Sequence, residues 1–72
     1  MITIKITDKG IYYQLTCITS EGKEFVLKLN KQGVLLEKPQ TYGFEESMAY
    51  FHVKHMIDDN KPLPSQTVAK WG

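Results

Sequence analysis

Residues 43–60, GFEESMAYFHVKHMIDDN, are the one stretch with sustained helical periodicity, and they constrain what the rest of the chain must do. At about 100° per residue, Phe44, Met48, Phe51 and His55 fall on one stripe. Ala49, Tyr50, Val53, Met56 and Ile57 fall on a second, roughly opposite. Polar residues divide the two. A helix lying on a single sheet needs only one apolar stripe. Two stripes imply a second surface to cover, in the chain's own tail or in another molecule.

The helix ends are marked. Pro39 stops a preceding strand. Gly43 stands at the N-cap position, with Glu46 at N3 and Glu45 beside it near the positive end of the helix. Asn60 suits a left-handed C-cap, and Pro62 prevents continuation. The pattern predicts a helix over 43–59.

Before it, Gly10, Gly22 and Gly33 each close a polar turn, and β-rich runs lie between them. Strands are expected over 2–6, 11–19, 23–29 and 34–37, as an antiparallel meander. With loops of four, three and four residues, Ile6 lies across from Ile11, Thr19 from Lys23 and Leu29 from Val34. One face then collects Ile2, Ile4, Ile6, Ile11, Tyr13, Leu15, Cys17, Phe25, Leu27, Leu29, Val34 and Leu36. The other collects Lys5, Tyr12, Gln14, Thr16, Ile18, Val26, Lys28 and Leu35, with other polar residues. A one-residue slip would scramble this partition. The expected fold class is α+β: a four-stranded antiparallel β-meander packed on one α-helix (ββββα), with a short extended C-terminal tail over 61–72. Pro62-Leu63-Pro64 favours an extended path there, and Thr67 and Val68 could add a short strand.

At 72 residues the chain makes one domain, 1–72, and small domains often supplement their stability by self-association. No apolar run approaches the ~20 residues of a membrane span. The alternating start, MITIKITDKG, lacks the apolar core of a signal peptide, and Cys17 is the only cysteine, so a reducing cytoplasm is the expected location. The net charge of +1 is that of neither an acidic DNA mimic nor a phosphate-gripping module. All nine cations are lysines, which removes the bidentate fork that arginine offers to guanine and phosphate.

The chemistry-bearing residues are sparse. His52 and His55, spaced i, i+3 on the helix, could begin a zinc site, but there is no second cysteine, and no metal or cofactor is expected. Cys17 points into the core by parity, where a thiol is packing rather than a nucleophile. Glu45 and Glu46 project about 100° apart and do not face each other as an acid–base pair. An enzyme is therefore not expected. Lys5, Tyr12, Gln14 and Lys28 on the outer sheet face form a thin single-strand platform, one aromatic and two lysines, so nucleic acid is a minor alternative.

The segment from Gly43 to Gln66 resembles the HicB-type antitoxin family. Phe44-Glu45-Glu46-Ser47 opens the helix and Asp59-Asn60-Lys61-Pro62-Leu63-Pro64-Ser65 closes it, as a Leu-Glu-Glu-Ala run and a Gly-x-Pro-hydrophobic-Pro exit do in that family. The resemblance implies a partial RNase H-like fold that self-associates and neutralises a small toxin RNase.

The expected function is non-enzymatic protein binding by a homodimer. The expected interface is the second stripe, Tyr50, Val53, Met56 and Ile57, with Trp71. A chain of this size without a catalytic set also fits an inhibitor of a host protein carried by a phage or mobile element.

Overall fold

In a computed structural model that describes residues 1–71, the chain forms one antiparallel sheet with one helix on its inner face. The elements are β1 (Ile2–Asp8), β2 (Tyr12–Thr19), β3 (Glu24–Asn30), β4 (Leu35–Glu37), α1 (Phe44–Asp58) and β5 (Gln66–Ala69). The sheet has five strands, in the order β4-β3-β2-β1-β5. The tail is thus part of the sheet: Ile2 pairs with Ala69 and Ile4 with Thr67. The expected ββββα fold with a short extended tail is corrected to ββββαβ, the tail supplying the fifth strand.

The α+β class and the β2–β3 hairpin match expectation. Thr19 N–H donates to Lys23 O at 2.8 Å, and Gly22 closes the three-residue loop at φ 88°. The left-handed conformation there is the one glycine adopts without strain. Two other turns differ. Lys9 N–H donates to Tyr12 O at 2.9 Å, which makes a two-residue Gly10-Ile11 turn. Ile11 sits at its tip, 83 % exposed, rather than in the core. Because the β1–β2 register shifts by an even number of residues, from Ile6 opposite Ile11 to Ile6 opposite Leu15, the faces of both strands are preserved.

The β3–β4 loop has three residues, not four. Asn30 N–H donates to Val34 O, and the Asn30 carboxamide accepts from Gln32 and Val34 N–H at 2.9 Å each. This side-chain-to-backbone turn takes up one residue fewer than expected. Leu29 consequently faces Leu35, and the slip inverts β4. Leu35 packs on the core, whereas Val34 and Leu36 are exposed.

The core lies between the sheet and α1. Ile2, Ile4, Leu15, Cys17, Leu27 and Leu29 on the sheet are fully buried, as are Ala49 and Val53 on the helix. Small and β-branched side chains at the contact let the helix backbone approach the strands closely. The stripe carrying Val53 is therefore the one that packs on the sheet of its own chain. Tyr50 and Ile57 flank it, half-buried, and the Tyr50 hydroxyl donates to Gly33 O at 2.7 Å. Met56 is half-buried as well. Of the expected interface residues Tyr50, Val53, Met56 and Ile57, Val53 is fully buried within its own chain, while the other three keep part of their surface.

The helix begins as expected at Gly43, whose N–H donates to the Glu46 carboxylate at 3.0 Å. It ends with Asn60 at φ 56°, Asn60 N–H on Ile57 O and Lys61 N–H on Met56 O. That pair of bonds is the Schellman arrangement, which satisfies the last free carbonyls.

Leu27→Ala should lower unfolding free energy by about 2–5 kcal/mol. Val53→Glu should unfold the chain, since it buries an unpaired charge. Ile11→Ser should stay within about 0.5 kcal/mol of the parent. Urea titration followed by circular dichroism measures all three.

Candidate protein-binding surface

With Val53 buried, Phe44 and Phe51 of the other stripe are left at the surface, while Met48 between them packs half-buried on the core. Phe44 is 61 % and Phe51 50 % exposed, and His55 is exposed beside them. Trp71, just past β5, packs its ring edge-on to Phe44 with centroids 5.5 Å apart and remains 37 % exposed. Phe51 lies 5.0 Å from the Tyr50 ring and 6.4 Å from His55. A shallow groove of about 170 Å³ runs between Met48, Phe51, His52 and His55 of the helix and Ala69 and Lys70 of the tail. The groove places the stripe on the β5 side of the molecule.

The sequence pointed to Trp71 as a surface partner residue, and it joins this patch; the buried Val53 does not. Phe44 and Phe51 are visible as a stripe on the helical wheel, but hydropathy alone does not say which of the two stripes faces outward. Side-chain size was the available signal. Ala49 and Val53 fit the narrow gap over a sheet, and two phenylalanines do not.

His52 and His55 diverge. A His52 ring nitrogen meets the Thr67 hydroxyl at 3.1 Å, tying α1 to β5, while His55 lies against Phe51. Burial, with a smaller contribution from His55, holds His52 below its ordinary value of 6.5. No group of three or more His, Cys, Asp or Glu side chains able to hold a metal occurs among the described residues.

Glu46 is the one buried carboxylate among the described residues, 2 % exposed. Desolvation pushes its carboxyl up, but the Lys23 ammonium at 2.8 Å and the backbone N–H of Gly43 outweigh it and hold the group below its ordinary range. Glu45 shares Lys23 at 3.6 Å. Cys17 lies behind this cluster. Burial, then the Glu46 charge, pushes its thiol up to about 12. A thiol so protonated is a poor nucleophile at neutral pH.

Lys5, Tyr12, Gln14 and Lys28 do share the outer sheet face. Gln14 pairs with Lys28, whose ammonium lies 5.5 Å from the Tyr12 ring centre. Yet Lys28 is also 3.4 Å from Glu37, and Glu24 stands on the same face. Two carboxylates oppose two lysines there, which leaves little net attraction for phosphate.

Compared with known protein families, curated proteins and solved structures, the chain matches none. No helix among the described residues is long and apolar enough to cross a membrane.

Native Cys17 should resist iodoacetamide at pH 8 and react once urea unfolds the chain, as read by intact mass. Glu46→Ala should cost about 1–3 kcal/mol, because it frees the Gly43 N–H and removes the Lys23 partner. The sign of the pH effect follows from the lowered carboxyl. Its stabilisation is present above the ordinary value of 4.5 and is lost as pH falls below that value through the folded-state value. The stability gap between parent and Glu46→Gln in urea titrations should therefore close on acidification over that window.

Proposed function

We propose that this chain is a non-enzymatic protein-binding domain that binds through the aromatic surface of α1 and the segment after β5. One observation carries the reading: Phe44, with Trp71 against it, and Phe51 two turns along the same stripe are exposed although Val53 of the alternative stripe is buried. Scattered exposed apolar residues are ordinary on any protein. Three aromatics in one patch are less so, and large aromatic residues anchor protein interfaces more often than other types. The groove between Phe51 and Ala69 has room for an apolar side chain of a partner, and Lys70 and His52 stand at its rim.

An enzymatic reading lacks support from the titratable groups. The buried carboxylate is neutralised by Lys23 at the helix start, and the cysteine is held protonated. The outer sheet face is a weaker candidate than the aromatic surface, since its charges are balanced.

Phe44→Ser with Phe51→Glu should fold with stability within about 1 kcal/mol of the parent, because both residues are exposed. Proteins retained from a lysate of the source cell by the immobilised parent chain should be lost with this variant by a factor of ~30 or more. They should remain with Lys5→Glu/Lys28→Glu. Retention by the aromatic variant and loss by the lysine variant, with strong salt dependence, would overturn the reading in favour of nucleic acid. Recovery of a small RNase would identify the partner that the resemblance over residues 43–66 implies.

A further inference from the structure

The two edges of the sheet are treated differently. β4 has three residues, the last of them Glu37, is bulged against β3 between Lys28 and Leu29, and is followed by Lys38-Pro39. Shortness, a bulge, charge and proline are the devices that keep an edge strand from pairing with another chain. The other edge, β5, reads Gln66-Thr67-Val68-Ala69, with no charge, proline or bulge within it. Ser65 O accepts from Ile6 N–H at 2.9 Å, so Ser65, Thr67 and Ala69 turn their backbone groups toward β1. Gln66 and Val68 turn theirs outward, where no strand of the described residues lies. The open edge and the aromatic surface are on the same side, joined by the groove between Phe51 and Ala69.

From this juxtaposition we infer that the occupant of the surface is a second copy of the chain, joined β5 to β5 in antiparallel pairing. This deepens the protein-binding reading and rests on it. An antiparallel edge is complementary to itself, because a two-fold axis sets each outward N–H against an outward C=O. Centred on Val68, the pairing opposes Val68 to the partner's Val68 and Gln66 to the partner's Lys70. It makes one continuous ten-stranded sheet with both helices on the same face. Thr67, bonded to His52, lies level with the middle of α1. The axis therefore sets the Met48–Phe51 turns of the two helices at the same height across the junction.

The area argument favours using both features. A stable interface takes about 800 Å² from each partner. An aromatic side chain offers about 150–250 Å², so at their exposures Phe44, Phe51 and Trp71 provide on the order of 300 Å². A four-residue strand edge with its flanking Gln66, Val68 and Lys70 side chains must supply most of the rest. Neither feature suffices alone, and each lies where the other's partner copy would be. At +1 per chain, two copies repel little.

The test is sedimentation velocity of the full chain from micromolar to millimolar, with amide exchange by NMR. The parent should dimerise, and the amides of Gln66 and Val68 should become protected as concentration rises. Val68→Pro removes only an outward N–H, which an edge strand tolerates. It should stay folded and weaken dimerisation by roughly 10–100-fold, while Val68→Thr dimerises as the parent does. A parent that is monomeric at millimolar concentration, with both amides exchanging at free rates, overturns the inference. A dimer lost in Phe44→Ser/Phe51→Glu but unchanged in Val68→Pro, with both amides unprotected, also overturns edge pairing and leaves the aromatic surface standing as the binding site. Should Val68→Pro unfold, protection of the two amides in the parent decides alone.

Discussion

The structure depends on the close approach of α1 to the inner face of the sheet. Ala49 and Val53 make that approach possible, filling the gap over Ile2, Ile4, Leu15, Leu27 and Leu29 without holding the backbones apart. A chain of this size buries only ~60 % of the surface its unfolded form exposes, so one helix face and one sheet face must supply nearly all the hydrophobic stabilisation. The position of every other group follows. Tyr50 and Ile57 close the β4 side of the gap, His52 reaches Thr67 on the β5 side, and the phenylalanines are turned away.

Electrostatics fixes the same helix at its start. Lys23, from the β2–β3 turn, reaches across to a carboxylate that is almost completely removed from water. The Glu46 side chain is held on one oxygen by the Gly43 N–H and on the other by Lys23. A buried charge is tolerated when it is paired and hydrogen-bonded, and its pairing fixes geometry as much as it adds stability. Here it sets where α1 begins relative to the β2–β3 hairpin. At the other end Asn60, in the left-handed conformation, turns the chain toward Pro62-Leu63-Pro64 and the β5 edge.

Much of this was legible in the residues. Alternation marked the first three strands, glycine placement gave the β2–β3 loop correctly, and the helix ends were marked by Gly43, Glu46 and Asn60. Three things were not legible for identifiable reasons. Asn30 bonds its own backbone and shortens a loop by one residue, which inverts β4; nothing in the apolar pattern of three residues could reveal that. The fifth strand, open as a possibility at Thr67 and Val68, is too short to show a period that would decide it, and forms because β1 offers it an edge. The choice between two apolar stripes on a helical wheel is not decided by hydropathy at all. It is decided by volume, since the gap over a sheet admits Ala49 and Val53 where it excludes Phe44 and Phe51. Val53, expected on the partner-binding stripe, therefore lies in the core, and the aromatic stripe is the one proposed to bind.

The exposed stripe then poses a question about necessity. Polar residues at positions 44 and 51 would leave the core contacts of Ala49 and Val53 untouched, so the fold does not need phenylalanine there. Burying on the order of 300 Å² of aromatic surface at about 25 cal/mol per Å² releases roughly 7 kcal/mol, a quantity comparable with the whole stability of a small domain. An exposed monomer forgoes all of it. The strand edge next to these rings likewise leaves the outward Gln66 and Val68 amides to water, whereas β4 is short and bulged. Two unspent sources of association thus adjoin each other on one side of the molecule, and that is the ground on which its covering by a second copy is proposed.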